Sequence, residues 1–392
     1  MRVLLSEGSS LTARETVTVL GPSGHRLEVM ASQRMPVARF SRYVSSVHRC
    51  PPAGADPAGY LDAVAAVVRR RRIDVLLPTH EQAWLFAVAR DCLPAVGLAV
   101  ADAAAFERVE SKLAFAALCA AAGLPQPDWA EASSPADLAG WDYPYYLKRP
   151  FSTAGRGVSL VRSDAERDAA LAAAGSPVLA QRVAAGTYGQ VAALFTHGRL
   201  LAVHTSRQAG AGAGGSAAAR ESTRDAQAQD DVERLGAELG WHGGLTLDYL
   251  ADGAGRAYIE CNPRTVEPGN AAAAGVDLPG LQIALSLGAE LPAAPVIGRP
   301  GVRTHGTMAL AIGAAERTGS RRAVVRAVAR GLGDGRSREV LTPLRADPPS
   351  AIPLVTVLAR LLAAPGSAAA LAASAVDAYA VGPEAIAAVG GC

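Results

Sequence analysis

The stretch RAYIECNPR, residues 256–264, decides the fold of this chain. Successive side chains of a strand point to opposite faces, so Glu260 and Asn262 share one face. The run GLTLDY, residues 244–249, also alternates like a strand and carries Asp248. Pairing of these strands would bring two carboxylates and an amide together, and hard oxygen donors of this kind suit Mg²⁺. An acidic residue at a strand end is more often simply solvated, so a second signal is needed.

That second signal lies upstream, in a run that predicts a strand, a glycine loop and another strand. YYLKRP, residues 145–150, carries Lys148 and is followed by STAGRGV, residues 152–158, and an apolar run that ends at Val161. The backbone N–H groups of such a hairpin could cover an anion, and Lys148 would add a point charge. The loop is not a Walker A motif, because no Gly-Lys-Ser/Thr follows it and no helix opens directly after it.

Taken in order, these motifs resemble the ATP-grasp superfamily. The resemblance also includes Ser111-Lys112-Leu113 at the start of a helix that ends at Gly123, and the strand VLAQRV at residues 178–183. It implies an α/β and α+β fold of the ATP-grasp type. Its parts would be an N-terminal doubly wound parallel-sheet domain (1–101), a linker helix with a mobile lid (102–184), a catalytic core (185–315) and a C-terminal helical extension (316–392).

The resemblance also implies a chemistry. In this superfamily ATP phosphorylates a carboxylate to an acyl phosphate, and an amine or another nucleophile then displaces the phosphate. Such transfer depends on positioning and on neutralising negative charge. The implied cofactors are ATP and Mg²⁺, for which Mn²⁺ could substitute, with Asp248, Glu260 and Asn262 as the metal ligands. The residues assigned to the nucleotide are Lys112, Lys148, Ser152, Gly155, Arg156, Gly157, Gln181, Arg182 and Val183.

Three arginines are candidates for contact with substrate anions. Arg264 follows the metal strand and could pair through two hydrogen bonds with the substrate acid or the acyl phosphate. GAGAGG, residues 210–215, satisfies G-x-G-x-x-G, but polar residues precede it and no clear βαβ unit surrounds it, which argues against nicotinamide binding. We predict instead a flexible loop that closes over the site, with Arg207 and Arg220 at its ends.

The first 101 residues alternate short apolar runs with helical patterns, which favours a parallel sheet whose ligands lie at the carboxyl ends of the strands. A strand is predicted at Leu98–Val100. Glu7 and Glu81 each follow a strand, and two functions stay open for them, turn or helix capping and contact with the substrate. Downstream, Thr307–Ile312 has a strand-like pattern, and residues 350–392 indicate Ala-rich helices without recognisable chemistry.

Composition restricts the class of protein. With 50% hydrophobic and 19% charged residues the chain can bury a core, and a formal charge of +2 without a broad basic stripe predicts neither a nucleic-acid nor a membrane partner. The N-terminus is predicted to be a core strand, not a signal peptide. Five cysteines (Cys50, Cys92, Cys119, Cys261 and Cys392) without C-x-x-C spacing favour free thiols in a reducing cytoplasm.

The resulting hypothesis is a cytoplasmic ATP-dependent carboxylate–amine ligase that acts on an amino acid or a small biosynthetic acid. Its partners would be the small-molecule acid and amine, and a homo-oligomer is compatible with the sequence. Two alternatives stay open. One is an ATP-grasp enzyme with a non-amine acceptor, such as a carboxylase. The other is a non-catalytic nucleotide-binding protein, which the complete set of Asp248, Glu260 and Asn262 argues against.

Overall fold

The computed structural model describes residues 1–153, 155–253 and 255–390, and these residues form three sheets. The first sheet is parallel, in the order β3-β2-β1-β4, and helices cover both of its faces. Its elements, with the two helices that follow it, are β1 (Arg2–Leu5), α1 (Leu11–Leu20), β2 (Arg26–Ala31), β3 (Val44–Arg49), α2 (Pro57–Arg71), β4 (Val75–Leu77), α3 (Gln82–Val88), α4 (Ala103–Glu107) and α5 (Lys112–Ala121).

The parallel sheet is buried on both sides, as its continuous apolar strands require. Leu4 and Leu76 pack with α2 and α3, whereas Val3 and Leu5 pack with α1 on the opposite face. The doubly wound architecture predicted for this region is therefore confirmed. The strand predicted at residues 98–100 is wrong, because only a single bridge between Val75 and Gly97 forms there. The polar edge strand β3 had no alternating pattern by which to predict it.

The second sheet is antiparallel, in the order β5-β8-β6-β7, and we call residues 129–182 the lid sheet. Lys148 ends β6, as the sequence predicted. A helix (α6) covers one face of the sheet, where Leu171 and its neighbours pack against Val161 and Val178. The elements are β5 (Trp129–Ala132), β6 (Tyr145–Lys148), β7 (Val158–Val161), α6 (Asp164–Ala174) and β8 (Val178–Arg182).

The third sheet, the core sheet, has the order β13-β12-β9-β10-β11-β15-β16, and β14 pairs with β10. α5 and α7 pack on one face, whereas α8 and α9 pack on the other. Its elements are β9 (Thr187–Thr196), β10 (Arg199–Ala211), β11 (Ala217–Thr223), α7 (Ala226–Glu238), β12 (Gly243–Ala251), β13 (Arg256–Asn262), α8 (Gly269–Ala273), α9 (Leu278–Ser286), β14 (Val296–Ile297), β15 (Arg303–His305) and β16 (Arg338–Glu339).

Helices dominate the rest of the chain. The strand predicted at residues 307–312 is wrong, because this run opens a helix. Met, Ala and Leu are strong helix formers, and the Glu339 carboxylate accepts a hydrogen bond from the first-turn N–H of Thr307 at 2.8 Å. The helices are α10 (Thr307–Thr318), α11 (Arg321–Gly333), α12 (Ala351–Ala363), α13 (Ala368–Tyr379) and α14 (Pro383–Ala387).

The glycine-rich run at residues 210–215 is the turn of the β10–β11 hairpin. Arg317 of α10 donates to the carbonyls of Ala211 and Gly212, at 2.9 and 3.1 Å. The N–H of Gly214 donates to the Glu316 carboxylate at 2.6 Å. The run is thus a short turn tied to α10, and Arg207 and Arg220 lie within β10 and β11 and not at the ends of a loop. Closure over the site stays a prediction.

Cysteine chemistry differs from the expectation of five free thiols. Cys50, Cys119 and Cys261 are free, but Cys92 is disulfide-bonded. Cys392 lies outside the described residues. The Cys92 disulfide removes one observation on which the expectation of a reducing compartment depended. Across the described residues, no helix is long and apolar enough to cross a membrane.

A buried ion pair joins α1 to the C-terminal region. Arg14 Nη2 lies 2.7 Å from Asp347 Oδ2, and both side chains are fully buried. We expect Arg14→Met to lower the free energy of unfolding in urea by about 3–5 kcal/mol, because it leaves Asp347 buried and unpaired. Arg14→Met combined with Asp347→Leu should recover much of this loss. The exposed pair of Arg108 with Glu238 is the control, and Arg108→Met should cost less than about 1 kcal/mol.

Candidate active site

Two carboxylates face each other across the β12–β13 pair. Asp248 lies opposite Glu260, and Thr246 lies opposite Asn262. A register shift next to this pair aligns Tyr249 with Tyr258, so β13 contains one extra residue. Strict alternation would put Tyr258 and Glu260 on one face. Because of the extra residue, Tyr258 packs into the core with α7, while Glu260 faces Lys112.

Two lysines converge on this carboxylate pair. Lys112 Nζ lies 3.0 Å from Glu260 Oε1 and donates to the carbonyl of Ser152 at 2.8 Å. Lys148 Nζ donates to Gln181 Oε1 at 2.6 Å. Burial lowers the pKa of Lys148 to about 8, although the charge of Glu260 acts in the opposite direction. Burial would raise the pKa of Glu260, but the charges of Lys112, Lys148 and Arg264 leave it lowered.

Arg264 is buried at the end of the same strand pair. Its Nη1 donates to Asn262 Oδ1 at 2.8 Å, and its Nη2 lies 3.3 Å from His80 Nε2. The Nε atom of Arg264 is buried without a hydrogen-bond partner. Asn262 Nδ2 in turn donates to Asp248 Oδ2 at 3.0 Å. Both terminal nitrogens of the guanidinium thus have partners, whereas its Nε–H group is free to donate a hydrogen bond to an anion.

The donor set fits a divalent cation. Lys112 pairs with Glu260, whereas burial, followed by the negative charge of Glu260, raises the pKa of Asp248 to about 6, so a further positive charge beside Asp248 would stabilise its ionised form. A cation held by both carboxylates would supply that charge. Within the described ranges no group of three or more His, Cys, Asp or Glu residues could hold a metal. Further ligands would be nucleotide oxygens, or Asn262 Oδ1 after it releases Arg264.

Arg220 and Arg207 lie on opposite faces of the β10–β11 hairpin. Arg207 is paired with Glu221 and is exposed, whereas Arg220 is opposite Gln208 and is buried. Arg220 Nη2 lies 2.9 Å from Glu267 Oε2, and its Nε and Nη1 are buried without partners. Arg220 is close enough to Asp248 for its charge to act on that carboxylate, whereas Arg207 lies on the opposite face of the hairpin. Residues thirteen positions apart on a hairpin need not share a face, because the turn determines their register.

Known structures share this architecture. No protein-family model matches the sequence, and a search of curated protein sequences gives no significant match. The biotin carboxylase domain of 2-oxoglutarate carboxylase from Hydrogenobacter thermophilus, a dimer solved with MgADP, ADP and bicarbonate, aligns with a TM-score of 0.61 at 15% identity, over 77% of this chain and 73% of that one. N5-carboxyaminoimidazole ribonucleotide synthetase from Thermus thermophilus aligns with a TM-score of 0.58 at 18% identity, over 77% and 81%.

A third structure is an amino acid ligase. L-amino acid ligase from Bacillus licheniformis aligns with a TM-score of 0.55 at 16% identity, over 72% of this chain and 74% of that one. This chain has the ATP-grasp fold. The expectation drawn from the sequence motifs is confirmed at that level. At these identities the likeness shows the fold alone. The substrates of the similar proteins are therefore not assigned to this chain.

In this ATP-grasp fold the lid sheet and the core sheet meet at Lys112 and Lys148. The other residues that the sequence assigned to the nucleotide lie along the lid sheet. Ser152 Oγ is buried without a partner. Arg182 Nη1 donates to the carbonyl of Asp142 at 2.6 Å, and Val183 is 45% exposed just beyond β8. The glycine loop contains Gly155 and Gly157, which have φ angles of 73° and 72°, a region that favours glycine. Ala154 of this loop lies outside the described residues.

The two acidic candidates of the N-terminal sheet behave differently. Glu7 is buried and accepts from the N–H groups of Ser9 and Ser10, at 2.5 and 3.0 Å, which agrees with turn stabilisation. Glu81 accepts from Thr153 of the glycine loop and from the N–H of Val381 at 2.8 Å. Glu81 thus connects the lid to the C-terminal helices of the ATP-grasp fold, a contact that no local pattern predicts.

Three residues near the site were missed at the level of sequence. Glu110 directly precedes the Ser111-Lys112 motif, and burial together with the charge of Glu81 raises its pKa to about 8. Its position beside the motif was an available signal. His80 lies in the turn after β4 and contacts Arg264. The ring of Tyr379 lies against that of His80 in a tilted arrangement, but Tyr379 comes from α13, a helix without any motif.

Arg156 of the glycine loop is paired with the C-terminal region. Its Nη1 donates to Asp377 Oδ1 and its Nη2 to the carbonyl of Ala373, both at 2.6 Å. The pair is exposed, so it is weak.

If Arg156 contacts nucleotide phosphates, Asp377 competes for it. Asp377→Asn should then tighten the binding of a non-hydrolysable ATP analogue with Mg²⁺ by up to about fivefold, since exposed pairs contribute at most about 1 kcal/mol. Isothermal titration measures this. The same substitution in an Arg156→Ala background should have no effect, and equal tightening in both backgrounds would contradict the competition.

Proposed function

We propose that this protein is an ATP-dependent ligase that activates a carboxylate as an acyl phosphate and joins it to an amine. The observation that carries the proposal is the convergence of Asp248, Glu260, Lys112 and Lys148 where the lid and core sheets meet. The charges needed to hold a metal-bound triphosphate are thus in one place. The fold is shared with an L-amino acid ligase and with a biotin carboxylase domain, so the acceptor is decided by the assay below.

The charged residues of the site would bind different parts of the nucleotide, the metal and the acid. Lys112 and Lys148 would bind phosphate oxygens, with the glycine loop covering them, and the adenine would lie against the backbone of Gln181–Val183. Asp248 and Glu260 would hold Mg²⁺, which neutralises negative charge on the β- and γ-phosphates when bound. The candidates for the acid are Arg264 and Arg220, because both keep buried donors without partners.

The reaction proceeds in two displacements. An oxygen of the substrate carboxylate attacks the γ-phosphorus, the bond to the β-phosphate oxygen breaks, and ADP leaves. The amine nitrogen then attacks the acyl carbon, inorganic phosphate leaves with the bonding pair, and the nitrogen loses a proton. Arg264 and Arg220 would orient the acid so that its oxygen points at the phosphorus. The cytoplasmic location and a homo-oligomeric state stay predictions.

The decisive assay is ADP release, measured with Mg·ATP across a panel of carboxylic acids, with and without amines. Dependence on both an acid and an amine supports the ligase. Dependence on bicarbonate, or on an acid together with a non-amine acceptor, would favour the alternative of an ATP-grasp enzyme such as a carboxylase instead. Binding of Mg·ATP without any acid-dependent ADP release would favour a non-catalytic nucleotide-binding protein. Glu260→Gln protein, purified in parallel, controls for contaminating ATPases.

A further inference from the structure

The C-terminal segment, residues 373–381, reaches into the site through one aromatic side chain. The ring of Tyr379 lies on that of His80, with centroids 3.7 Å apart and an interplanar angle of 32°. The carbonyl of Tyr379 accepts a hydrogen bond from Gln82 Nε2 at 2.8 Å, so its backbone is held as well. The Tyr379 side chain is buried, and the charges of Glu7, Arg264 and Glu81 are close enough to influence it.

His80 stands between Tyr379 and Arg264. Burial, and then the positive charge of Arg264, lower the pKa of His80, so the imidazole is neutral. A neutral ring can accept from Arg264 Nη2 at its Nε2 atom, 3.3 Å away, and then carries its hydrogen on Nδ1. His80 Nδ1 is buried without a hydrogen-bond partner, and Glu81 Oε1 is 3.9 Å from it.

The His80 ring therefore depends on two contacts, the hydrogen bond to Arg264 and the face of Tyr379. Arg264 in turn is fixed by His80 at Nη2 and by Asn262 at Nη1, which leaves Nε free. Loss of the Tyr379 ring would open space beside His80 and release one of the two groups that orient the guanidinium.

We propose that Tyr379 is a positioning residue: it holds His80 against Arg264 and thereby aims the free donor of Arg264 at the substrate acid. The C-terminal helices then complete the acid-binding end of the ATP-grasp site. This inference rests on the proposed function, since that function assigns the acid to Arg264. Tyr379 itself does not contact the reacting atoms in this arrangement.

Three full-chain variants separate positioning from packing. Tyr379→Phe keeps the ring, Tyr379→Leu removes it but keeps an apolar side chain, and Val376→Ala removes buried volume from the same helix and keeps both the Tyr379 and His80 rings. The readouts are the affinity for a non-hydrolysable ATP analogue with Mg²⁺, and KM and kcat of ADP release with the most active acid of the panel.

Tyr379→Leu should raise the KM for the acid by about 10-fold or more, because small misplacements of an orienting group are costly. Its nucleotide affinity should match that of the wild type, and Tyr379→Phe should behave like the wild type throughout. Val376→Ala should lower Tm without changing KM. Equal KM values for Tyr379→Leu and the wild type, or equal increases for Tyr379→Leu and Val376→Ala, would overturn the inference.

NMR spectroscopy of His80 tests the positioning role of Tyr379 independently of activity. It applies even if no acid supports ADP release, which is the result that would contradict the proposed function. The chain has seven histidines, so the ¹⁵N signals of His80 can be assigned with a His80→Gln variant. We expect a neutral ring with the hydrogen on Nδ1, unchanged in Tyr379→Phe and altered in Tyr379→Leu. Identical His80 signals in all three proteins would show that Tyr379 does not position the ring.

Discussion

Glu260→Gln is expected to reduce ADP release by about 10²-fold or more while the protein stays folded. Glu260 is one of two carboxylates that face each other across β12 and β13, and the substitution removes its charge but keeps its shape. With one carboxylate left, a divalent cation beside the γ-phosphate would be held more weakly. Initial rates of ADP release at saturating Mg·ATP measure the effect, and circular dichroism confirms the fold.

The same measurements on Glu221→Gln provide the matched control. Glu221 pairs with Arg207, on the hairpin face opposite Arg220, so its loss should leave the rate unchanged. Folded Glu260→Gln protein with a near-normal rate would refute the assignment of Glu260 to the metal. A weaker affinity for Mg²⁺ in that variant, with the rate restored at high Mg²⁺, would support it.

Lys148→Ala should weaken binding of a non-hydrolysable ATP analogue by roughly 10- to 100-fold, since a hydrogen bond to a charged group contributes about 1.5–3 kcal/mol. Lys148 Nζ is buried at the end of β6, where Gln181 accepts its hydrogen bond and Glu260 lies nearby. The ammonium group is therefore held where it can meet a phosphate. The thermal midpoint without nucleotide should change far less than the affinity.

The neighbouring Arg149 offers a control of the same sign of charge. Arg149 is exposed, and its guanidinium donates to the carbonyl of Ala173 on α6, away from Glu260. Arg149→Ala should therefore bind the analogue as the wild type does. If Lys148→Ala also binds normally, Lys148 is a lid packing residue and the nucleotide must rest on other groups.

The parts of the fold that the sequence predicted depend on patterns among residues that are close together along the chain. The parallel sheet near the N-terminus follows from short apolar runs that alternate with helical patterns, whereas the strands of Asp248 and Glu260 follow from side-chain alternation. The order of these motifs along the chain, with the Lys148 strand, resembles the ATP-grasp superfamily, and that fold is confirmed. The errors have local causes too. Residues 98–100 are apolar without pairing as a strand, and residues 307–312 are apolar in a run that helix formers dominate.

The order of the sequence motifs thus indicated the ATP-grasp fold by resemblance. Strand alternation placed Glu260 and Asn262 on one face without knowledge of distant parts, and it put Asp248 beside Glu260 only on the condition that their strands pair, which they do. Only the tertiary structure decided which arginine reaches the site, since hairpin register separates Arg220 from Arg207. It also placed Tyr379 on His80 and Val381 on Glu81. Such contacts join residues that are hundreds of positions apart, and they depend on how helices dock on sheets, which no local pattern encodes.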